Sequence, residues 1–136
     1  MFTKTLTIRT PRRGLHLITG EVARAVVESG VVRGMCNLFI QHTSASLVIT
    51  ENADPTARKD LEVFLDRLVP ENEPYYRHTM EGPDDMPSHI KSVLTSVSTN
   101  IPVVKGELGL GTWQGIYLWE HRTSPHRRRM TVTLLG

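Results

Sequence analysis

The sequence has one cysteine, few aromatic residues and no long apolar run. A single thiol excludes an internal disulfide, and the apolar neighbours of Cys36 predict that it is buried rather than nucleophilic. No stretch approaches the roughly 18 to 20 apolar residues that a membrane-spanning helix needs. The first ten residues also lack the apolar segment of a signal peptide. We therefore expect a cytoplasmic protein that does not enter membranes.

The overall composition is that of an ordinary globular domain. Of the 136 residues, 39% are hydrophobic and 22% are charged, and no low-complexity tract is present, which excludes disordered and fibrous classes. The length suits one domain with its own core. No internal repeat or linker divides the chain, so we expect a single domain over residues 1–136.

Positive charge is concentrated in one short segment, Arg127 to Arg129. A compact group of guanidinium side chains suits a small phosphorylated ligand, and the alternative is a solvated surface turn. Nucleic-acid binding is disfavoured because the segment has few aromatic neighbours and the sequence has no known nucleic-acid-binding motif.

Hydrophobic periodicity predicts strands and helices in mixed order. Strands are expected at about 3–9, 15–19, 34–41, 46–50, 101–105, 106–111, 112–122 and 128–135. Helices are expected at about 21–30, 55–68 and 88–97. The first two strands are predicted to form a hairpin, and the third helix is predicted to bury Ile90, Val93 and Leu94. Helices inserted between strand pairs favour an α+β fold.

Two histidines in the segment 71–87 and the helix after it are candidates for chemistry. His78 and His89 lie eleven residues apart, and Glu81, Asp84 and Asp85 come between them. Imidazole and carboxylate groups together suit a divalent metal such as zinc, manganese or nickel. The same groups suit proton transfer, and solvated or hydrogen-bonded histidines remain the simplest alternative.

Polar residues also interrupt or end several predicted strands. His42 opens a polar run between two strands, and Glu51 lies where the second of them meets a helix. An acidic residue at that position can simply favour the helix N-terminus. Gln114 lies within a predicted strand, where a long amide side chain needs a hydrogen-bond partner.

Three segments together resemble the YjbQ family of small proteins, some of whose members show thiamine-phosphate synthase activity. They are QHTSASLVITENADP, HTMEGPDDMPSHIK and LGTWQGIYLWEHR, which begin at residues 41, 78 and 110. The resemblance covers nearly the whole chain, with the segments in the family's order. It implies an α+β fold with orthogonally packed β-sheets and about three helices, assembled as a homotrimer.

The resemblance also implies a polar site built from all three segments. Its implied members are His42, Glu51, His78, Asp85, His89, Gln114 and Glu120. If the protein is an enzyme, the expected catalytic residues are His42, Glu51, His78, His89 and Gln114. Metal binding falls to His42, His78, Asp85 and His89, with zinc, manganese, nickel or magnesium as the ion. Contacts to a small phosphorylated substrate fall to Glu120, Arg128 and Arg129. The alternative is a non-enzymatic homotrimer that binds a metal or small ligand.

Overall fold

The protein folds into two antiparallel sheets and three helices, as the α+β prediction requires. The computed structural model describes residues 1–136. The strands are β1 (Phe2–Thr10), β2 (Gly14–Leu17), β3 (Arg33–Ile40), β4 (Ala45–Glu51), β5 (Ser98–Val104), β6 (Glu107–Leu108), β7 (Gln114–Glu120) and β8 (His126–Leu135). The helices are α1 (Thr19–Ser29), α2 (Pro55–Leu68) and α3 (Asp85–Leu94). None of these helices combines the length and apolar character that crossing a membrane requires.

Several strands that follow one another in sequence lie in different sheets. The larger sheet has the order β1-β8-β3-β5-β6, and the smaller has the order β2-β7-β4. The predicted hairpin of the first two strands is therefore wrong. β1 pairs with β8 and β2 pairs with β7, so the turn between them connects the edges of two different sheets. Alternating side chains identify a strand but do not identify its partner.

The main core lies between the two sheets and α1. It includes Leu38 and Val132 from the larger sheet and Leu118 from the smaller one, all with essentially no exposed surface. A second apolar cluster, which includes Tyr117 and Trp119, packs under α2 on the other face of the smaller sheet. Because both faces of β7 are covered, its sequence is almost continuously apolar.

Cys36 is fully buried in the main core, which confirms the predicted buried thiol. Burial raises the pKa of its thiol to about 11. The thiol is therefore protonated at neutral pH and lacks the thiolate character of a nucleophile.

Helix α2 begins as predicted, whereas α3 does not. Asp54 caps α2, since its Oδ1 accepts the Thr56 N–H at 2.9 Å. Helix α3 starts at Asp85, three residues before the predicted start at residue 88. Of its three predicted buried residues, Ile90 is partly buried against the second apolar cluster, whereas the prediction is wrong for Val93, which is 83% exposed, and for Leu94, which is 56% exposed.

Polar residues form the buried face of α3 instead. They are Asp85, Ser88, Lys91 and Ser92, accompanied by Pro87. Ser88 Oγ donates to the His121 carbonyl at 2.8 Å, and Lys91 Nζ binds Asp66 Oδ1 at 2.6 Å. These partners satisfy the polar groups on the buried side, and Val93 and Leu94 face outward.

Replacing Gly34 with alanine is expected to lower the free energy of unfolding by several kcal/mol. A Cβ at this position would lie 1.8 Å from the Leu135 carbonyl oxygen, so strands β3 and β8 would have to separate. Chemical denaturation provides the measurement. Gly106→Ala is the control, because its Cβ meets no atom within 4 Å and only its φ of +78° is unfavourable, at about 1 kcal/mol. Equal losses in the two variants would contradict this packing.

Candidate functional site

His78, Asp85 and His89 converge on one point at the start of α3. Asp85 Oδ2 lies 2.7 Å from His78 Nε2 and 3.0 Å from His89 Nε2. One ligand atom from each residue lies within 4.8 Å of the other two. The predicted cluster of two imidazoles and a carboxylate therefore exists in the folded chain, and it excludes Glu81 and Asp84.

The helix start explains this convergence. Asp85 is the first residue of α3 and His89 lies four residues later, so the two side chains share one face of the helix. His78 comes from the segment before α3, which is held in part by the hydrogen bond from Tyr76 Oη to the Pro70 carbonyl at 3.0 Å.

Both ring nitrogens of His89 face hydrogen-bond acceptors. The His89 Nδ1 lies 2.9 Å from the Thr43 carbonyl, which only accepts, so Nδ1 must carry a proton. A neutral ring then has no proton on Nε2, yet Nε2 faces the Asp85 carboxylate, which also only accepts at neutral pH. A second proton or a metal ion between these atoms resolves the conflict.

The donor set fits a divalent metal. Two imidazoles and one carboxylate, with a remaining open position, are the ligands of many catalytic zinc sites. The His89 Nδ1–H bond to a backbone carbonyl is the outer contact that orients metal-binding histidines. The His78 side chain is 49% exposed whereas Asp85 is 2% exposed, so the cluster is anchored in the protein and open to solvent on one side.

Arg122 holds the acidic segment before α3 in place. Its Nη1 donates to Asp85 Oδ1 at 2.8 Å, its Nε donates to Asp84 Oδ2 at 2.9 Å, and its Nη2 donates to the Glu81 carbonyl at 2.9 Å. Burial opposes ionisation of Asp84, but hydrogen bonds from Arg122 and Thr123 lower its pKa to about 2. Burial likewise opposes ionisation of Asp85, and its histidine and arginine neighbours nevertheless lower its pKa. Both carboxylates are therefore ionised at neutral pH.

Glu120 and Arg128 form a buried ion pair beside the cluster. Glu120 has no exposed surface and Arg128 is 3% exposed. Arg128 donates to both carboxylate oxygens, with Nε to Oε1 at 2.7 Å, and Thr10 Oγ1 donates to the same Oε1 at 2.5 Å. Burial would raise the pKa of Glu120, but these donors lower it. The pair is positioned because β1 and β7 bring Thr10 and Glu120 next to β8.

His42 contacts this ion pair rather than the three-residue cluster. Its Nε2 accepts the Arg129 N–H at 2.7 Å, and its Nδ1 lies 3.4 Å from Arg128 Nη1. Burial and the charge of Arg128 lower its pKa, which keeps the ring neutral at pH 7. His42 is adjacent in sequence to Thr43, whose carbonyl binds His89. A metal-binding role for His42 therefore stays a prediction that the cluster geometry does not include.

Glu51 and Gln114 lie at the other end of the smaller sheet. They face each other across β4 and β7, whereas Glu120 faces Ala45 at the opposite end of the same pair. Six residues of extended strand separate the two ends by roughly 20 Å. Glu51 Oε2 accepts the Ala53 N–H at 2.8 Å, and Gln114 Oε1 accepts the Gly111 N–H at 2.8 Å. Within one chain, these residues have local structural partners and do not join the cluster.

The two arginines predicted to contact phosphate differ in placement. Along β8, Arg128 points into the protein, while Arg127 and Arg129 are exposed on the other face. Neither exposed arginine has a carboxylate within 4.0 Å. The three consecutive arginines therefore do not form a single surface patch.

Comparison with known proteins places these residues in a family. Residues 4–136 match the family model described as UPF0047 protein YjbQ-like. The chain belongs to the YjbQ family. It is 52% identical to a UPF0047 protein of Synechocystis, with 96% of this chain and 89% of that protein covered. It is 48% identical to the UPF0047 protein YjbQ of Escherichia coli O157:H7, with 99% and 98% covered. A conserved hypothetical protein from Thermus thermophilus has the same fold, with a TM-score of 0.88 at 39% identity over 97% of this chain and 99% of that one.

One buried residue of this YjbQ family member was not singled out by sequence. His121 is 1% exposed, and its Nε2 lies 2.8 Å from Ser46 Oγ while its Nδ1 has no partner. Burial and the nearby charges of Lys91, Arg128 and Arg13 lower its pKa to about 3. Its position directly after the apolar strand β7 was the one sequence signal for burial.

We expect the YjbQ-family fold to lose stability as pH falls below about 6.5. In the unfolded chain His121 titrates near 6.5, whereas in the folded chain it stays neutral down to about 3. The unfolded state therefore binds more protons in this window, and His121 alone lowers the free energy of unfolding by about 2 kcal/mol between pH 6.5 and 5. Urea denaturation across this range measures the slope.

The matched variant carries Ser46→Ala together with His121→Phe. It removes both hydrogen-bonding partners and the titrating group, so its unfolding free energy should change less with pH than that of the wild type by about the same 2 kcal/mol. The lowered pKa of His42 acts in the same direction and is unchanged in the variant. Identical pH slopes in the two proteins would contradict the assigned role of His121.

Proposed function

We propose that this protein binds a divalent metal through His78, Asp85 and His89 and acts there on a small phosphorylated substrate. The observation that carries the proposal is the shared contact of Asp85 Oδ2 with both histidine Nε2 atoms, at 2.7 and 3.0 Å. The donor set suits zinc, manganese or nickel better than magnesium, because Mg²⁺ prefers oxygen ligands. The exposed side of His78 leaves room for a substrate group.

The reaction we propose is thiamine-phosphate synthesis. A pyrimidine-methyl diphosphate would lose pyrophosphate by cleavage of its C–O bond, and the thiazole nitrogen would form the new C–N bond. A bound metal would supply Lewis-acid stabilisation of the negative charge on the departing pyrophosphate. His78, Asp85 and His89 would hold that ion, while Arg122 fixes the Asp85 carboxylate by its 2.8 Å bond.

Phosphate contact falls more naturally to Arg129 than to Arg128. The charge of Arg128 is already balanced by Glu120, to which it donates through both Nε and Nη2. Arg129 is exposed and has no carboxylate within 4.0 Å, and its own backbone N–H fixes His42. Glu120 would then act on the substrate indirectly, by holding Arg128 and through it the ring of His42.

The test combines turnover with metal content. Protein freed of metal by a chelator and then dialysed should form no thiamine phosphate, and activity should return with one of the divalent ions. His78→Ala combined with His89→Ala should abolish the activity, whereas Asp60→Asn, which changes an exposed residue of α2 outside the cluster, should not. Failure of the wild-type protein to form thiamine phosphate with any divalent metal would overturn the proposed enzymatic activity.

A non-enzymatic metal-binding role is the second candidate, and one observation favours it. The polar groups around the cluster are engaged within the protein: Arg122 binds two aspartates, Arg128 binds Glu120, and His42 Nε2 accepts a backbone N–H. Few groups therefore remain free to act on a substrate. Stoichiometric metal binding without turnover would support this role over the enzymatic one.

We also propose that the chains assemble as a homotrimer. A groove of about 630 Å³ beside His42 is lined in part by the exposed apolar residues Phe39 and Val93. A second copy covering this groove would remove apolar surface from water. Sedimentation should give three times the monomer mass, and Phe39→Asp with Val93→Asp should reduce it. A monomeric wild-type protein would contradict the proposal.

A further inference from the structure

A second polar cleft lies between the open edges of the two sheets. β1 is an edge strand of the larger sheet and β2 is an edge strand of the smaller one, and the cleft of about 420 Å³ runs between them. Its lining includes Arg9 near the end of β1, Arg12 in the turn after it, and Arg58 on α2. None of the three cluster residues, His78, Asp85 and His89, lines this cleft.

The positive charge in this cleft is not balanced within the protein. None of the three arginines has a carboxylate within 4.0 Å, whereas four of the other nine arginines do, namely Arg13, Arg24, Arg122 and Arg128. The cleft contains one carboxylate, Glu21, and its Oε1 lies 3.5 Å from Arg24 Nη2. The cleft therefore presents three unpaired guanidinium groups.

Neighbouring residues add positive charge near the cleft and hold its arginines in place. Arg9 faces Arg127 directly across β1 and β8, and like charges in that position destabilise a sheet unless an anion lies nearby. Arg58 lies over the Tyr117 ring, with its Cζ 5.8 Å from the ring centre. The His16 Nε2 lies 2.8 Å from the Arg12 carbonyl and ties the turn that carries Arg12 to β2.

We infer that this cleft binds a small phosphorylated organic anion. Guanidinium groups bind phosphate oxygens through paired hydrogen bonds, and three of them suit a diphosphate or two separate phosphate groups. The volume is within the range of small-molecule sites. Leu17, which is 51% exposed and lines the cleft, provides an apolar contact for the organic part.

In the first experiment, inorganic pyrophosphate is titrated into protein that carries His78→Ala and His89→Ala, and binding is measured by isothermal titration calorimetry. This background excludes binding through a metal held by the cluster, so failure of this inference is distinguishable from failure of the proposed metal site. Arg12→Gln and Arg58→Gln should each weaken binding by about tenfold or more. Arg67→Gln is the matched control, because Arg67 lies on α2 with Arg58 but outside the cleft, and it should change affinity less than twofold.

The second experiment compares phenyl phosphate with inorganic phosphate. Phenyl phosphate should bind more tightly, and Leu17→Ser should remove the difference. Three results would overturn the inference: no binding of pyrophosphate, equal weakening by Arg67→Gln, or equal affinity for phenyl phosphate and phosphate. Binding of a single-stranded RNA through the same arginines without any pyrophosphate binding would also overturn it, since the partner would then be a nucleic acid.

Discussion

Replacing Glu120 with glutamine is expected to lower the free energy of unfolding by about 3 to 5 kcal/mol. Glutamine keeps the shape of the side chain but removes its charge. Arg128, which is 3% exposed, would then hold a buried positive charge with no carboxylate to balance it. Urea denaturation at neutral pH measures the loss as a shift in the midpoint at constant slope.

Two further variants separate the ion pair from a general charge effect. Glu107→Gln removes an exposed carboxylate on β6 and should change stability by less than about 0.5 kcal/mol. Glu120→Leu combined with Arg128→Met removes both charges and should recover part of the loss, because neither ion is then left unpaired in the interior. A Glu120→Gln protein as stable as the Glu107→Gln protein would refute the assigned role of the pair.

Replacing Asp85 with asparagine is expected to weaken zinc binding by about 100-fold or more. The substitution removes the only carboxylate group in the cluster and with it the negative charge that attracts the ion. Because contacts outside a metal's own ligands already change affinity by about 10- to 100-fold, loss of a charged ligand should cost at least as much. Competition with a chromophoric chelator measures the affinity.

Asp60→Asn is the control for this comparison. Asp60 is exposed on α2 and lies outside the cluster, so its substitution changes the net charge equally without touching a ligand. Asp85 also binds Arg122, and thermal denaturation of both variants should therefore confirm that they are folded at the temperature of the titration. Equal zinc affinity in the Asp85→Asn and Asp60→Asn proteins would show that the metal binds elsewhere.

Local structure could be predicted from the sequence, whereas strand pairing could not. Alternating β-formers identified β1, and Asp54 followed by Pro55 identified the start of α2, because both signals depend on neighbouring residues. The pairing of Thr10 with His126 joins residues 116 positions apart. A short turn after β1 suggested a hairpin, but the pairing of β2 with β7 depends on the whole fold.

In helix α3, hydrophobic periodicity predicted the wrong buried face, because the buried face is polar. Its apolar residues have helical spacing, yet the face that packs against the protein contains Ser88 and Lys91. Those side chains are stabilised by the His121 carbonyl and by Asp66, which are 33 and 25 residues away in sequence. No pattern within the helix could reveal such partners.

The candidate site was predictable to the extent that it is local. Asp85 and His89 are one helical turn apart, and His78 precedes them closely, so the sequence indicated this cluster before the fold was known. Glu51 and Gln114 belong to the same sequence segments as other polar candidates, but strands β4 and β7 carry them to the far end of a sheet. Because six residues of extended strand span roughly 20 Å, two residues of the same sequence segment can lie too far apart to share a site.

Anomalous diffraction from crystals of the zinc-loaded protein tests the central claim most directly. The structure predicts one anomalous peak per chain, bound by Nε2 of His78, Oδ2 of Asp85 and Nε2 of His89 at about 2.0 to 2.2 Å. A zinc peak at any other set of residues, or the same hydrogen-bonded contacts with no peak between them, would contradict the proposal that this cluster is a metal site.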